Sequence, residues 1–225
     1  MKEQGFEDYA KVQLNEGNIE KINLPEEYTQ LEYIESTGTQ YIDTKVTHDK
    51  VYGYEIEYES RGIIKSSPSY NLDGIFGVNG AGDDLKLWAG YAQEDSIRNS
   101  IYFQSNTKQT DYVSYDEYYK KHRLKILNYN VYYDNERIAE FKKPDSLIIK
   151  GRSIYIFSVN YGNVGSSFYS HTRLYNLKLY DINNKLICNL IPCKNADGVL
   201  GLYDLVTGAF LINSGTRDFV AGDEI

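Results

Sequence analysis

Three glutamates spaced two residues apart are the residues of this sequence best placed for acid–base chemistry. Glu55, Glu57 and Glu59 alternate with apolar and aromatic residues in the segment 51–60. Alternation of period two predicts a strand, on which residues two apart share a face at about 6.5–7 Å. A pair of carboxylates can hydrolyse a glycosidic bond as nucleophile and general acid. Strict alternation is equally typical of a solvated strand face above a core, and we favour that interpretation.

A second group of residues could bind a sugar ring. Trp88 lies on the polar side of the strand predicted over 84–91, and tyrosines cluster in the long polar loop 105–121. Aromatic faces match the C–H faces of pyranoses, and long loops in compact β domains are often functional. Alternatively, Trp88 is covered by a neighbouring segment and the loop tyrosines pack onto the sheet. The candidate ligand-binding residues are Trp88, Tyr91, Tyr112, Tyr115 and Tyr118.

Metal and thiol chemistry are weakly supported. Asp73, Asp83 and Asp84 are the calcium candidates, but they lack the dense oxygen spacing of a dedicated loop. Two cysteines and three scattered histidines make no zinc spacing. We therefore expect no cofactor, with calcium as the weak alternative. The histidines, expected at the surface or at strand ends, are His48, His122 and His171.

The two cysteines are expected to be structural. Cys188 and Cys193 are five residues apart, so a continuous strand points them to opposite faces, and a disulfide between them is not expected. We predict that both thiols are buried and inert.

Composition limits the classes of partner. The net charge is −8, which argues against binding to nucleic acid or to an anionic membrane surface. No apolar run is long enough to span a membrane, and the first residues lack the apolar core of a secretory signal. Tyrosine is abundant, with 23 of 225 residues, and this suits both half-buried strand surfaces and binding faces.

The segment 171–213 is the most regular part of the chain. Its alternation predicts a strand over 174–180 with Leu177 and Leu179 buried. The same alternation assigns Tyr175 to the buried face and Leu174 to the opposite one.

The rest of this segment predicts two hairpins. Pro192 is expected to end the strand that returns from the turn at 181–184, because proline cannot donate to a ladder. A further hairpin follows over 199–213. About twelve strands, without a long helix, predict an all-β chain.

Two motifs carry a family resemblance. The C-terminal one is RLYNLKLYD, KLICNLIPC and DGVLGLYDLVTGAFLINSGT, and the N-terminal one is LPEEYTQLEYIESTGTQYIDTKV over Leu24–Val46. Together they resemble laminin-G-like domains of the concanavalin A-like lectin/glucanase superfamily, of the kind found in phages and gut bacteria. The resemblance implies a two-sheet antiparallel jelly-roll sandwich over residues 24–225, preceded by an extension over 1–23. Related glucanases carry their acids as E-x-D-x-x-E, from which the glutamates of 51–60 depart.

The resemblance also implies a class of function. We expect a non-catalytic binding or adhesion module, carbohydrate-binding and displayed on a phage virion. Its partners would be a cell-surface or mucosal glycan and other virion proteins, reached through residues 1–23, in a homo-oligomeric assembly. The alternatives are a purely structural virion decoration protein, a bacterial surface protein and, with least support, a glycoside hydrolase. Residues 1–23 are either this attachment segment or a leader without a role.

Overall fold

The described part of the protein consists of two sheets packed face to face, which confirm the all-β prediction. The computed structural model describes residues 21–62, 73–79, 85–93, 96–144, 151–162 and 166–225, with the backbone alone for 88–93 and 166–167. Most of the extension over 1–23 therefore lies outside the described residues. The strands, numbered along the chain, are β1 Tyr28–Gln30, β2 Ile34–Thr37, β3 Ile42–Thr47, β4 Gly53–Gly62, β5 Asp73–Val78, β6 Leu85–Gln93, β7 Ser96–Phe103, β8 Asn106–Gln109, β9 Val113–Ser114, β10 Lys121–Leu127, β11 Asn130–Tyr133, β12 Glu136–Glu140, β13 Ser153–Ile156, β14 Val159–Asn160, β15 Ser166–Ser167, β16 His171–Tyr180, β17 Leu186–Asn195, β18 Leu200–Asp204, β19 Phe210–Ile212 and β20 Val220–Ala221.

The larger sheet follows the order β12-β11-β10-β4-β16-β17-β18-β19. β1 pairs with β17, β2 with β16, and β20 with β2. The smaller sheet follows the order β15-β14-β5-β6-β7-β8, with β13 between β3 and β5 and with β9 on β7. All of these pairings are antiparallel except a single bridge between β14 and β5.

Helical structure is minor in the described part of the chain. A 3-10 turn covers His48–Lys50, and one α-helix, α1, covers Tyr115–Tyr118. The Ser114 side chain caps α1 by accepting the Glu117 N–H. No helix among the described residues is long and apolar enough to span a membrane.

The core lies between the two sheets and follows the predicted alternation along β4. Tyr54, Ile56 and Tyr58 are fully buried there. Leu177 and Leu179 on the neighbouring β16 are buried as well, as predicted. The glutamates of β4 consequently lie on the opposite, outer face of the larger sheet.

A β-bulge in β16 overturns part of the predicted alternation. The register against β4 shifts between Leu174 and Asn176. One extra residue in a strand reverses the facing of everything beyond it. Leu174 is therefore buried together with Leu177, and Tyr175 lies on the outer face beside Glu59.

The prediction that Pro192 ends its strand is wrong. β17 continues through Pro192 to Asn195. Up to Leu190 the strand pairs with β16, and from Cys193 it pairs with β1. Pro192 lies at this change of neighbour, where its carbonyl accepts the Leu31 N–H at 2.9 Å. On this edge of β17 the missing N–H interrupts neither ladder, because Pro192 lies between them, while its other edge pairs with Leu202 of β18.

The buried Gln40 side chain gives part of the N-terminal motif a structural role. Its Oε1 accepts the N–H groups of Thr37 and Thr39 at 3.0 and 3.1 Å, which closes the turn after β2. Its Nε2 donates to the Asp218 carbonyl at 2.6 Å. One side chain therefore closes a turn and ties the first motif to the C-terminal segment.

Candidate binding face

The outer face of the larger sheet carries charged side chains that pair across strands. On β4, Glu55 lies between Lys125 of β10 and Lys178 of β16. Two residues on, Glu57 is opposite Arg123, and Glu59 lies between Lys121 and Arg173. Glu55 and Glu59 are enclosed rather than solvated, because cations stand opposite them on both neighbouring strands, whereas Glu57 faces Asn176 on β16 and is 27% exposed.

Glu55 is the most enclosed of the three carboxylates, with 5% of its side chain exposed. Arg123 Nη2 lies 2.5 Å from Oε1, Lys125 Nζ lies 3.5 Å from Oε2, and Lys178 Nζ lies 3.9 Å from Oε1. We call Glu55, Arg123, Lys125 and Lys178 the Glu55 cluster. In it, one carboxylate meets three cations.

Glu59 accepts hydrogen bonds on both carboxylate oxygens. The Tyr175 hydroxyl donates to Oε2 at 2.6 Å, and Arg61 Nη1 donates to Oε1 at 2.5 Å. Arg173 Nη1 is 3.6 Å from Oε2. Burial and, after it, the Glu59 carboxylate raise the pKa of Tyr175 well above its ordinary value, so this hydroxyl stays protonated and donates.

Glu35 of β2 anchors the other side of Arg173. It accepts from Arg173 Nε at 2.7 Å, and His171 Nε2 lies 2.9 Å from its second oxygen. Burial alone raises the pKa of Glu35, but the hydrogen bonds from Arg173 and His171 outweigh it and leave that pKa below its ordinary value. Arg173 is thus held between two carboxylates.

Two half-buried tyrosines lie within this charged face. The rings of Tyr33 and Tyr175 meet edge to face, with centroids 5.6 Å apart. The Arg173 guanidinium lies 4.3 Å from the centroid of Tyr33, and Lys121 Nζ lies 4.1 Å from that of Tyr175. Aromatic rings, cations and carboxylates are therefore in contact at this end of β4.

The aromatic residues predicted from the sequence lie elsewhere. The Trp88 and Tyr91 side chains are outside the described part of the structure. Tyr112 lies at the smaller sheet, where the Arg98 guanidinium is 4.4 Å from its ring centroid. Tyr115 is half-buried, with its ring 5.8 Å from that of Tyr119.

Tyr118 does not fit its predicted role as a ligand-binding residue. Its side chain is only 1% exposed, and its hydroxyl donates to Asn99 Oδ1 at 2.9 Å. The loop tyrosine at this position packs into the core because α1 turns it inward. It therefore presents no ring face to a ligand.

Two of the three histidines are buried, and both lie at strand ends, which agrees with one of the two expected positions: His48 follows β3, and His122 is the second residue of β10. His122 is 6% exposed and stacks on Tyr133 with centroids 5.1 Å apart. Its Nδ1 lies 2.7 Å from Asp134 Oδ2, and its Nε2 lies 3.2 Å from the Glu117 carbonyl. His48 is buried with its Nδ1 3.3 Å from the Arg152 carbonyl. Both are tied into turns of the fold.

The calcium candidates lie partly outside the described residues, so calcium binding stays untested. Asp73 is fully buried in β5, and Asp83 and Asp84 lie outside the described residues. The described residues contain no group of three or more His, Cys, Asp or Glu side chains arranged to hold a metal ion.

Cys188 and Cys193 are free and buried, as predicted. Burial raises the pKa of Cys188, and it raises that of Cys193 to about 12.

Sequence reasoning missed Tyr33, Lys121 and Arg173. They come from the residue before β2, from β10 and from β16, and only cross-strand pairing brings them together at the Glu59 end of β4. For Lys121 the sequence does carry a signal, because the alternating cations of 121–125 match the alternating glutamates of β4.

The comparisons with known proteins leave the function to be inferred from this face. No protein-family model matches the chain, and no curated protein matches it either.

Proposed function

We propose that the chain is a non-catalytic carbohydrate-binding module whose ligand lies across the outer face of the larger sheet. The contact between Tyr33 and Tyr175, with Arg173 and Lys121 against their rings, carries the proposal. Ligand sites combine apolar ring surface with a few placed polar groups. Glu57 and Glu59 add acceptors for sugar hydroxyls, and the two cations add donors.

Preorganisation of these polar groups favours binding. Arg173 contacts both Glu35 and Glu59, and Glu59 is also held by Arg61 and Tyr175. Side chains already fixed in the free protein lose little further entropy when a ligand arrives. A shallow face of this kind supports dissociation constants of about 10 µM to 1 mM per site, and display in many copies would raise avidity.

The surroundings of the carboxylates support the non-catalytic part of the proposal. A glycosidase acid keeps its proton near neutral pH because an apolar environment raises its pKa. On this face cations, in place of an apolar environment, surround Glu55 and Glu59. Glu57 is the least enclosed, and Lys121 Nζ still lies 3.1 Å from its Oε2.

A purely structural role in a virion is the second candidate. The observation that favours it is the mutual pairing of the same side chains, because Glu35, Glu55 and Glu59 are neutralised by their neighbours without a ligand. Either role suits a component displayed on a phage particle, which the family resemblance led us to expect. Glycan binding distinguishes the two.

A glycan array and a calorimetric titration test the proposal. The wild-type protein should bind at least one glycan family, and Tyr33→Ala should weaken that binding. The matched control is Tyr155→Ala on β13, a half-buried tyrosine of the smaller sheet, which should leave affinity unchanged. A folded protein that binds no glycan would overturn the proposal in favour of the structural role. Release of reducing ends that Glu57→Gln abolishes would replace binding with hydrolysis.

A further inference from the structure

The Glu55 cluster carries an excess of positive charge on an acidic protein. Three cations, Arg123, Lys125 and Lys178, share the single carboxylate of Glu55, whereas the whole chain has a net charge of −8. A further carboxylate, that of Glu57, lies 4.0 Å from Arg123 Nε. Glu57 is also paired with Lys121, which adds a fourth cation. Positive charge therefore remains on this part of the face after each carboxylate is counted.

Neutralising a buried glutamate does not require three cations. Burial of a carboxylate has to be compensated by one well-placed partner, and Arg123 Nη2 at 2.5 Å supplies it. The two lysine ammoniums lie further away, at 3.5 and 3.9 Å. Like charges held together repel one another, so each added lysine stabilises Glu55 less than the first cation does, and both ammoniums keep donors for a further partner.

The three cations are accessible from solvent. Between 31% and 34% of each side chain is exposed, against 5% for Glu55 beneath them. Lysine ammoniums on flexible stems can reach outward from such a position, and an arginine can share its guanidinium between Glu55 and a second anion. The exposed surface of the cluster is thus contributed mainly by cationic side chains.

The cluster lies on the same face as the Tyr33–Tyr175 contact. Glu55 and Glu59 are four residues apart on β4, which separates the two ends by about 13 Å. Arg123 and Lys121 fill the space between, through their contacts with Glu57. A ligand that spans both ends is therefore longer than one sugar ring.

From this arrangement we infer that the Glu55 cluster is an anion subsite, and that the glycan is an oligosaccharide bearing a carboxylate or sulfate group. The inference rests on the proposed function, since it names the class of glycan. The sugar chain stacks at Tyr33 and Tyr175, and its anionic group is held by Lys125, Lys178 and Arg123. The test separates the two sources of negative charge.

Matched ligand pairs test the charge directly. Galacturonate oligosaccharides are compared with their methyl esters, and sulfated chondroitin oligosaccharides with unsulfated ones, by calorimetry at fixed ionic strength. At least one acidic member should bind more tightly than its masked partner, and added salt should reduce the difference. A difference in affinity within the galacturonate pair indicates a carboxylate ligand, and a difference within the chondroitin pair indicates a sulfate ligand. A DNA oligonucleotide of equal charge serves as the generic polyanion and should bind more weakly than that acidic glycan.

Three substitutions test whether the anionic group of the glycan binds at the Glu55 cluster. Lys125→Gln and Lys178→Gln should each weaken acidic-glycan binding about 2- to 5-fold, the range for one exposed charge pair. Glu55→Gln removes the competing carboxylate and should tighten binding by a similar factor, which a merely structural ion pair would not do. The matched control is Lys108→Gln, a half-exposed lysine on β8 of the smaller sheet, and it should have no effect.

The outcomes separate this inference from the proposed function. Equal binding of acidic and masked glycans overturns the anion subsite and leaves glycan binding intact. Binding of no glycan overturns both. DNA that binds as tightly as the acidic oligosaccharides, or lysine variants that bind like wild type, also overturns the subsite. If Glu55→Gln does not fold, the two lysine variants still test the anion subsite.

Discussion

The Tyr175 hydroxyl donates a hydrogen bond of 2.6 Å to Glu59 across β16 and β4. The contact exists because the bulge between Leu174 and Asn176 turns Tyr175 outward. It places a ring and a carboxylate side by side on the face that we propose binds sugar. The relation between these two residues therefore links the local backbone to the function.

Replacing Tyr175 with phenylalanine should test that link. The variant keeps the ring against Tyr33 and Lys121 but removes the donor to Glu59, which retains Arg61. We expect a loss of about 0.5–1.5 kcal/mol in the free energy of unfolding, together with weaker glycan binding. Tyr155→Phe on the smaller sheet is the control. Unchanged unfolding and unchanged affinity in Tyr175→Phe would mean that the hydroxyl contributes nothing to either.

Adjacent residues of β16 should differ sharply when truncated to alanine. Leu177 is fully buried in the core, and Leu177→Ala should cost about 2–5 kcal/mol of unfolding free energy. Lys178 lies on the outer face at 3.9 Å from Glu55, and Lys178→Ala should cost at most about 1 kcal/mol. Denaturant melts of both variants measure the difference. Similar losses at the two positions would show that the outer face is also closely packed.

The sequence predicted which segments form strands better than it predicted how those strands pair with one another. Alternation along β4 correctly assigned Tyr54, Ile56 and Tyr58 to the core, because a residue's facing within a strand is a local property. It placed Tyr175 wrongly, since a bulge depends on the partner strand and leaves no signal in the alternation. The short β1 and β2 were also missed, because they are formed by pairing with distant β17 and β16.

The candidate site was harder to predict than the fold for the same reason. Glu57 and Arg123 are far apart in sequence and meet only through the register of β4 and β10. The glutamates were recognised, but their cations were not assigned to them. Tyr118 shows the opposite error, because a tyrosine in a polar loop suggests exposure until the loop folds into a helix that buries it.

Tyr118 should therefore affect stability and not binding. In Tyr118→Phe the ring stays in the core while Asn99 Oδ1 loses the donor at 2.9 Å. An acceptor left unsatisfied in a buried position costs about 1–3 kcal/mol. Thermal or denaturant unfolding measures the loss, and glycan titration should give the wild-type affinity. A clear loss of affinity in a folded Tyr118→Phe protein would return this residue to the binding site.

Neither cysteine should react in the folded protein. Both thiols are buried, and burial raises the pKa of Cys193 to about 12, so the reactive thiolate is scarce at pH 8. Iodoacetamide followed by mass spectrometry should give no modified cysteine under native conditions and two after unfolding. Rapid labelling of Cys193 without denaturant would show that β1 and β18, which flank it, open readily.

Acidification should weaken the fold partly through Glu35. Its pKa in the folded protein lies below the ordinary value of 4.5, because Arg173 and His171 favour the carboxylate over the opposing effect of burial. A group whose pKa is lower when folded stabilises the fold above its unfolded pKa. That contribution is lost as the pH falls through the folded pKa. The unfolding free energy should therefore decline below about pH 4.5.

The variant Glu35→Gln isolates this contribution. It keeps the shape of the side chain at β2 but cannot ionise, so its unfolding free energy should depend less on pH below about 4.5 than that of the wild type. Above this range Glu35→Gln should be less stable, since Arg173 loses one of its two carboxylates. Glu140→Gln on β12 is the control, because that glutamate is exposed and pairs with Arg137 at the edge of the sheet. Denaturant melts from pH 3 to pH 7 compare the three proteins. Parallel curves for wild type and Glu35→Gln would show that Arg173 and His171 do not hold Glu35 in its ionised form.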